Sequence, residues 1–231
     1  MRIITNESHI NTRARIGERA PFVGFVLLIG AMILMWVLPD WLWVSMILVW
    51  VGFVVALIGS YLGDRYVGPL AHYKKVPEAF KGLDNQYILL IHQTLAPFVL
   101  LTPDGVFVIT VKSQGGAIIY HDGKWQHREK LGLLRRFAGQ EALGRPDRMA
   151  QAEAADFKRF LQKKLPDGMD VPVRPLLIFI NPNVHLEADD SPVPAFLLSK
   201  AKRWIRKEGR SSNLPDEVWQ ALQDALGIIE A

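Results

Sequence analysis

The pattern of hydrophobic positions divides the chain into two parts. Two long uncharged runs occupy residues 21–38 and 41–62, with Pro39-Asp40 between them. As a helix, at about 1.5 Å per residue, the first run would be roughly 27 Å long, close to the hydrocarbon thickness of a bilayer. Beyond residue 62 the apolar residues fall into shorter segments with the spacing of strands or amphipathic helices. The pattern therefore predicts a two-helix transmembrane hairpin followed by an α/β domain with a mixed sheet.

A β-hairpin lies at the centre of the predicted sheet. Two apolar arms, 98–102 and 106–110, flank Pro103-Asp104-Gly105. Proline presets φ and glycine accepts a positive φ, so these three residues are typical of a turn. Further strands are predicted at 87–92, 117–120, 124–127 and 171–180, and helices at 76–80, 146–165, 195–207 and 215–226, with 130–143 loosely helical. The apolar face of the helix at 146–165 is predicted to contain Met149, Ala152, Ala155 or Asp156, Phe160 and Leu161.

The charges that flank the two apolar runs predict the orientation of the hairpin. Three arginines between residues 13 and 19 precede the first run, and three basic residues between 65 and 75 follow the second. Basic residues favour the cytoplasmic side, which places both termini in the cytoplasm of a bacterial-type cell. We therefore expect a multi-pass protein of the cell membrane, with a cytoplasmic N-terminal segment at 1–20, a juxtamembrane linker at 63–75 and a cytoplasmic domain at 76–231. Residues 63–231 should be soluble once the hairpin is removed.

Composition narrows the possible chemistry. Residues 63–231 hold 23 of the 27 basic and 20 of the 23 acidic residues, so this part is only mildly basic. Such a balance is common in soluble domains and is weak evidence for a polyanionic partner. The sequence has no cysteine, which excludes disulfides, thiolate nucleophiles and cysteine-ligated zinc. The six histidines show no spacing typical of metal ligands.

Two groups of basic side chains are candidates for binding a polyanion. Lys112 ends the second arm of the β-hairpin, and Thr110 shares its face of the strand because side chains alternate with a period of two. Lys112 either extends along the strand to reach water or binds a phosphate. The densest basic cluster lies in the helix at 195–207 and includes Lys202, Arg203 and Arg206. It is either a solvated helix face or a contact for lipid headgroups or nucleic acid.

From Gly105 to Lys112 the sequence resembles the nuclease-related domain (NERD) family. Further residues stand where the pattern of that family expects them: Gly115, Gly116, Trp125 and, at a helix start, Gly144-Arg145-Pro146 followed by Gln151. The resemblance covers roughly residues 76–206. It implies a restriction-endonuclease-like fold with a PD-(D/E)-x-K site, in which two carboxylates hold Mg²⁺ and the ion activates a water. Many members of the family are tied to membranes.

The carboxylates of that site are missing from the matching positions. The aspartate position of the family falls on Pro97 and the glutamate position on Thr110, and neither residue supplies an anionic oxygen. Lys112 remains. Asp104 completes the letters PD, but it lies at the hairpin tip, about 20 Å along the strand from Thr110. We therefore interpret Asp104 as a turn residue.

Three functions remain open. The first is a non-catalytic, membrane-anchored domain that needs no cofactor and binds nucleic acid, lipid headgroups or a protein. Its candidate polyanion-binding residues are Lys112, Gln114, Gln151, Lys202, Arg203 and Arg206. The second is an active Mg²⁺-dependent nuclease whose carboxylates come from other positions, such as Glu78, Asp84 or Asp104. The third is a purely structural membrane protein. We expect the first, because a single carboxylate binds Mg²⁺ weakly.

Overall fold

The computed structural model describes residues 1–129, 142–208 and 213–228. The chain divides into two compact units. One, the sheet domain, comprises residues 1–6, 73–129 and 143–231, and the other comprises residues 7–72 and 130–142. Most of the segment 130–143, which the sequence predicts to be loosely helical, lies outside the described residues.

Two long helices make up the helical hairpin, residues 7–66. Helix α1 spans Glu7–Val37 and α2 spans Leu42–Tyr66, with a 3₁₀ turn at Pro39–Trp41 between them. Both extend beyond the predicted apolar runs, because the neighbouring polar residues, rich in alanine, arginine and glutamate before residue 21, also favour helix. Each helix is long and apolar enough to span a membrane.

Small residues form the contact between α1 and α2. The buried positions recur every seven residues in each helix: Ile10, Gly17, Gly24 and Ala31 in α1, and Ser45, Gly52, Gly59 and Tyr66 in α2. A Cβ added at Gly24 would lie 2.6 Å from the carbonyl oxygen of Gly52, so the two backbones touch at this point. A seven-residue repeat is typical of a left-handed supercoil. The large apolar side chains, such as Phe25, Trp36 and Trp50, are exposed.

The main sheet has six strands in the order β1-β2-β3-β4-β7-β9. Their bounds are Arg2–Thr5, Ile88–Ile91, Phe98–Thr102, Gly105–Lys112, Val173–Phe179 and Ala195–Leu197. Strand β3 is antiparallel to both neighbours, whereas β1 is parallel to β2, and β7 is parallel to β4 and β9. The predicted mixed α/β sheet is therefore confirmed, as is the β-hairpin, in which Thr102 pairs with Gly105.

A second sheet has three strands in the order β6-β5-β8. They span Gly116–His121 (β5), Lys124–Arg128 (β6) and Val184–Glu187 (β8). The turn between β5 and β6 falls at Asp122-Gly123, between the predicted strands, and both residues have a positive φ. The sequence did not predict β8 or β9. Both strands are too short to show a clear period, and β9 lies in the segment predicted as the start of a helix.

Strand β1 changes the interpretation of the N-terminus. Arg2–Thr5 pairs in parallel with Ile88–Ile91, and the amide of Asn6 donates a hydrogen bond to Ile91 O at 3.0 Å. The sequence predicts only an N-terminal segment at 1–20, because four strand residues before a charged stretch show no recognisable period. Only Asn6 lies between β1 and α1. The helical hairpin is thus inserted between the first strand of the sheet domain and the rest, and a fragment of residues 63–231 would lack that edge strand.

Within the described ranges, four shorter helices belong mainly to the sheet domain: α3, His72–Phe80; α4, Pro146–Gln162; α5, Leu198–Glu208; and α6, Asp216–Ala225. Helices α4 and α6 pack on the sheet face that carries Val106 and Val108. Helix α5 packs on the opposite face, where the ring of Trp204 lies 5.6 Å from that of Phe107.

The buried face of α4 differs from the predicted one. It contains Pro146, Asp147, Ala150, Ala154, Phe157 and Leu161, of which the prediction included Leu161. Ala152, Ala155 and Asp156 are exposed. Because alanines occur on several sides of α4, the sequence allows more than one assignment of its apolar side. The side with Ala150 and Ala154 has small side chains, which allow the helix to approach the sheet closely.

Candidate functional site

The candidate site lies at the carboxyl end of β4. All eight residues of this strand are buried, and β3 and β7 flank it. Thr110 pairs with Leu177 and Lys112 with Phe179 in the parallel ladder to β7. Thr110 and Lys112 are 3% and 2% exposed. The strand thus ends in a polar pair that lies inside the domain.

Helix α4 contacts both of these side chains. The hydroxyl of Thr110 donates a hydrogen bond to Glu153 Oε2 at 2.5 Å, and Lys112 Nζ lies 4.0 Å from Met149 Sδ. Met149 and Glu153 are four residues apart and therefore lie on the same side of the helix. The prediction that Thr110 and Lys112 share one face of the strand is confirmed. Lys112 does not reach water, because its side chain ends against α4.

The two family positions that lack a carboxylate lie in β4 and just before β3. Thr110 belongs to β4, and Pro97 immediately precedes Phe98, the first residue of β3. The carboxylate beside Thr110 instead comes from α4, through Glu153. The sequence did not predict Glu153 as a site residue. Correct assignment of the buried side of α4 would have placed it at the edge of that side, facing the strand.

Neighbouring loops hold the end of β4 in place. The amide of Ile180 donates to Lys112 O at 2.9 Å, and Asn181 Nδ2 donates to Ser113 O at 3.0 Å. His127 Nε2 lies 2.8 Å from Gly115 O. Gln114, a predicted polyanion-binding residue, is 1% exposed between these contacts. An anion can therefore reach Gln114 or Lys112 only if these segments move.

The other predicted site residues lie elsewhere. Gln151 is exposed, and at about 100° per residue it points roughly 160° away from both Met149 and Glu153. Glu78 forms an ion pair of 2.8 Å with Lys75 on its own helix, and its side chain is 57% exposed. Asp84 lies in an exposed turn before β2. The described contacts do not bring Gln151 or Glu78 to the end of β4.

Asp104 is a structural residue at the tip of the β-hairpin. Its side chain is 1% exposed, accepts a hydrogen bond of 2.6 Å from the Thr102 hydroxyl and forms an ion pair with Arg174 of β7. The guanidinium of Arg174 also lies 4.4 Å from the centre of the Phe107 ring. The interpretation of Asp104 as a turn residue is confirmed.

The basic helix α5 uses two of its cations within the domain. Lys202 donates a hydrogen bond to Lys81 O, and Arg206 donates one of 2.6 Å to Gly82 O. These carbonyls follow the end of α3, so the two side chains join α5 to the loop before β2. Arg203 is exposed. The three predicted residues therefore do not act as one group.

The arrangement does not fit the two-carboxylate Mg²⁺ site that the family resemblance implies. Glu153 already accepts a hydrogen bond from Thr110, and Pro97 supplies no oxygen from its side chain. In residues 1–129, 142–208 and 213–228, no group of three or more His, Cys, Asp or Glu side chains could hold a metal ion. Mg²⁺ requires near-octahedral oxygen coordination, which one engaged carboxylate does not provide.

Comparison with known protein families supports the class of this fold. Residues 83–180 match the model of the nuclease-related domain, NERD. The match begins before β2 and ends after β7, so it includes the β-hairpin, β5, β6 and α4. The chain therefore carries a nuclease-related domain behind two apolar helices. No curated protein and no solved structure matched the chain.

Proposed function

We propose that α1 and α2 anchor this protein in a cell membrane and that its nuclease-related domain is a non-catalytic interaction module on the cytoplasmic side. Such a module would bind an anionic partner without a metal cofactor. The observation that carries the proposal is at Thr110, a position where the family pattern expects a carboxylate: its hydroxyl is hydrogen-bonded to Glu153, and Pro97, the other such position, also lacks a carboxylate.

The exposed surface of the helical hairpin supports membrane anchoring. Its small residues lie between the helices, whereas the outward sides carry large apolar side chains, among them Phe22, Phe25, Trp36, Trp43 and Trp50. A continuous apolar surface of this size is unfavourable in water and favourable in lipid.

The topology of the sheet supports placing both termini on one side. Strand β1 precedes α1, and its partner β2 follows α2, yet the two strands pair in one sheet. A hairpin inserted in this way has to cross the membrane an even number of times. The arginines before the first apolar run favour the cytoplasm as that side.

Cysteine labelling tests this topology. The native sequence has no cysteine, so Asp40→Cys and Lys124→Cys each introduce a single label site. In intact cells, a membrane-impermeant maleimide should modify position 40 and not position 124. Modification of position 124 in intact cells would contradict the cytoplasmic placement.

A cleavage assay tests the lack of catalysis. We expect the full chain, purified in detergent, to leave DNA and RNA intact with Mg²⁺ or Mn²⁺. Metal-dependent turnover that copurifies with the protein and disappears in a Glu153 variant would contradict the proposal. The comparison variant replaces Pro97 by Asp and Thr110 by Glu together. It introduces the two carboxylates that the family pattern expects, so it tests whether they favour cleavage.

A metal-dependent nuclease with a relocated carboxylate is the second candidate. The hydrogen bond between Thr110 and Glu153 favours it, because it places one carboxylate beside the expected position. In that case Glu153→Gln should abolish turnover. The matched control is Glu187→Gln, whose side chain is exposed and pairs with His185, and which should keep full turnover.

A further inference from the structure

One side of α5 fixes the helix to the sheet domain. Ala201 and Ile205 are buried, and the ring of Trp204 lies 5.6 Å from Phe107 and 5.1 Å from Phe196. Lys202 and Arg206 bind the carbonyls of residues 81 and 82 at one flank. The rotation of α5 about its axis is therefore set by packing and by hydrogen bonds.

The opposite side of α5 carries three cations that form no ion pair with the acidic residues the structure describes. Lys200, Arg203 and Lys207, here called the cationic face, are all exposed. Their spacing of three and four residues places them within about 60° around the helix. Within the described part of the chain, the ion pairs formed by basic side chains involve other residues. Like charges held together in this way repel one another until an anion binds.

We propose that the cationic face binds anionic lipid headgroups of the membrane that the helical hairpin spans. This inference rests on the membrane anchoring in the proposed function. Five residues, 67–71, separate α2 from α3, and fully extended they reach at most about 18 Å. This short linker tethers the sheet domain to the membrane-spanning helices, and tethering raises the local concentration of headgroups, so that a few weak contacts are sufficient.

Three cations on an eleven-residue helix fit a lipid surface better than a nucleic acid. A nucleic acid in free solution has no tether, so its binding depends on the number of phosphates neutralised at once, and the cationic face offers three. The headgroups of a bilayer are mobile in the plane and can gather beneath a small, fixed set of charges. Recognition here needs negative charge and no particular sequence or shape.

A single label beside the cationic face tests the proposal. Ser199 is exposed next to Lys200, and Ser199→Cys gives the full chain one thiol for a fluorophore. The labelled protein is placed in nanodiscs that carry a nitroxide on the lipid headgroup. Quenching should be strong with phosphatidylglycerol present, weak with phosphatidylcholine alone, and should fall as salt is raised. Equal quenching in both lipids would overturn the proposal.

Charge variants identify the side chains responsible. Replacing Lys200, Arg203 and Lys207 together by Gln should remove the quenching that depends on phosphatidylglycerol. The matched control replaces three basic residues outside α5 by Gln, namely Lys124, Arg128 and Lys163. This variant should keep the quenching that depends on phosphatidylglycerol. Equal loss in both variants would show a response to net charge and would contradict a defined face.

Two outcomes separate this inference from the proposed function. If an oligonucleotide changes the fluorescence at position 199 in neutral nanodiscs and phosphatidylglycerol does not, the cationic face is a nucleic-acid surface and the lipid proposal is wrong. If the maleimide assay shows that no membrane separates position 40 from position 124, the anchoring itself fails. Correct topology without charge-dependent quenching rejects the lipid contact alone.

Discussion

The two ends of β4 have similar residues in different arrangements. At the start of the strand, Thr102 and Arg174 both bind the carboxylate of Asp104. At its carboxyl end, Thr110 binds the carboxylate of Glu153, and Lys112 lies nearby against the same helix. Each end thus places a threonine, a carboxylate and a cation in or beside the core.

The source of the carboxylate distinguishes the two ends. Asp104 belongs to the β-hairpin itself, and its partner Arg174 comes from the adjacent strand β7. The ion pair therefore links the tip of the hairpin to β7. At the other end the acid comes from α4, and Pro97 and Thr110 occupy the positions where the family resemblance expects carboxylates. The letters PD at Pro103-Asp104 therefore mark the structural end of the strand, whereas the resemblance expects the family site at the other end.

The largest expected effect is at the structural end. Arg174→Met removes the cation of this ion pair from the buried Asp104, which should lower the free energy of unfolding by about 3 kcal/mol. The melting temperature of the full chain in detergent should fall by roughly 6–12 °C. Glu78→Gln, which breaks an exposed pair, is the control and should change stability by less than about 1 kcal/mol. A loss of similar size in both would show that the buried ion pair of Asp104 and Arg174 contributes no more to stability than an exposed pair.

Gly105 should be the next most sensitive position. It has a φ of 144°, and an added Cβ would lie 2.6 Å from Pro172 O. We expect Gly105→Ala to cost about 2 kcal/mol or more, from strain and from steric clash. Gly168→Ala is matched in its positive φ of 86° but has open space around it, so it should cost about 1 kcal/mol. Chemical denaturation of both variants measures the difference, and equal losses would show that Pro172 gives way.

The carboxyl end should respond least. Thr110→Val keeps the side-chain shape and removes one hydrogen bond to Glu153, a partly buried carboxylate, at a cost of about 1 kcal/mol. Thr94→Val, which removes a hydrogen bond to Ala96 O in a loop, is the control. If Thr110→Val destabilises the sheet domain more than Arg174→Met does, the carboxyl end is the structural one and the comparison is reversed.

Local signals made the β-hairpin and the shared face of Thr110 and Lys112 predictable. The turn chemistry of Pro103-Asp104-Gly105 and the period of two act over a few residues, and both appear in the structure. Strand β1 was not predictable in this way, because Arg2–Thr5 pairs with a strand more than eighty positions away. Its pairing depends on the whole sheet and leaves no local pattern.

The candidate site was predicted in part. The lack of side-chain carboxylates at positions 97 and 110 can be read directly from Pro97 and Thr110. The placement of Glu153, by contrast, depends on which side of an alanine-rich helix faces the sheet. The sequence showed the basic cluster of α5 but not which of its cations bind within the domain. Lys202 and Arg206 bind backbone carbonyls, and because every residue has a carbonyl, the sequence does not mark these partners. Side-chain chemistry alone therefore could not separate these two cations from the cationic face.

Manganese binding tests the central claim most directly, since Mn²⁺ accepts the oxygen ligands of Mg²⁺ and is visible by electron paramagnetic resonance. Titration of the full chain in detergent should show no site tighter than roughly millimolar, because one engaged carboxylate at the end of β4 is a poor ligand set. Double replacement of Pro97 by Asp and Thr110 by Glu should create a tighter site. A tight site in the native chain that is lost in Glu153→Gln would contradict the account and support a working metal centre.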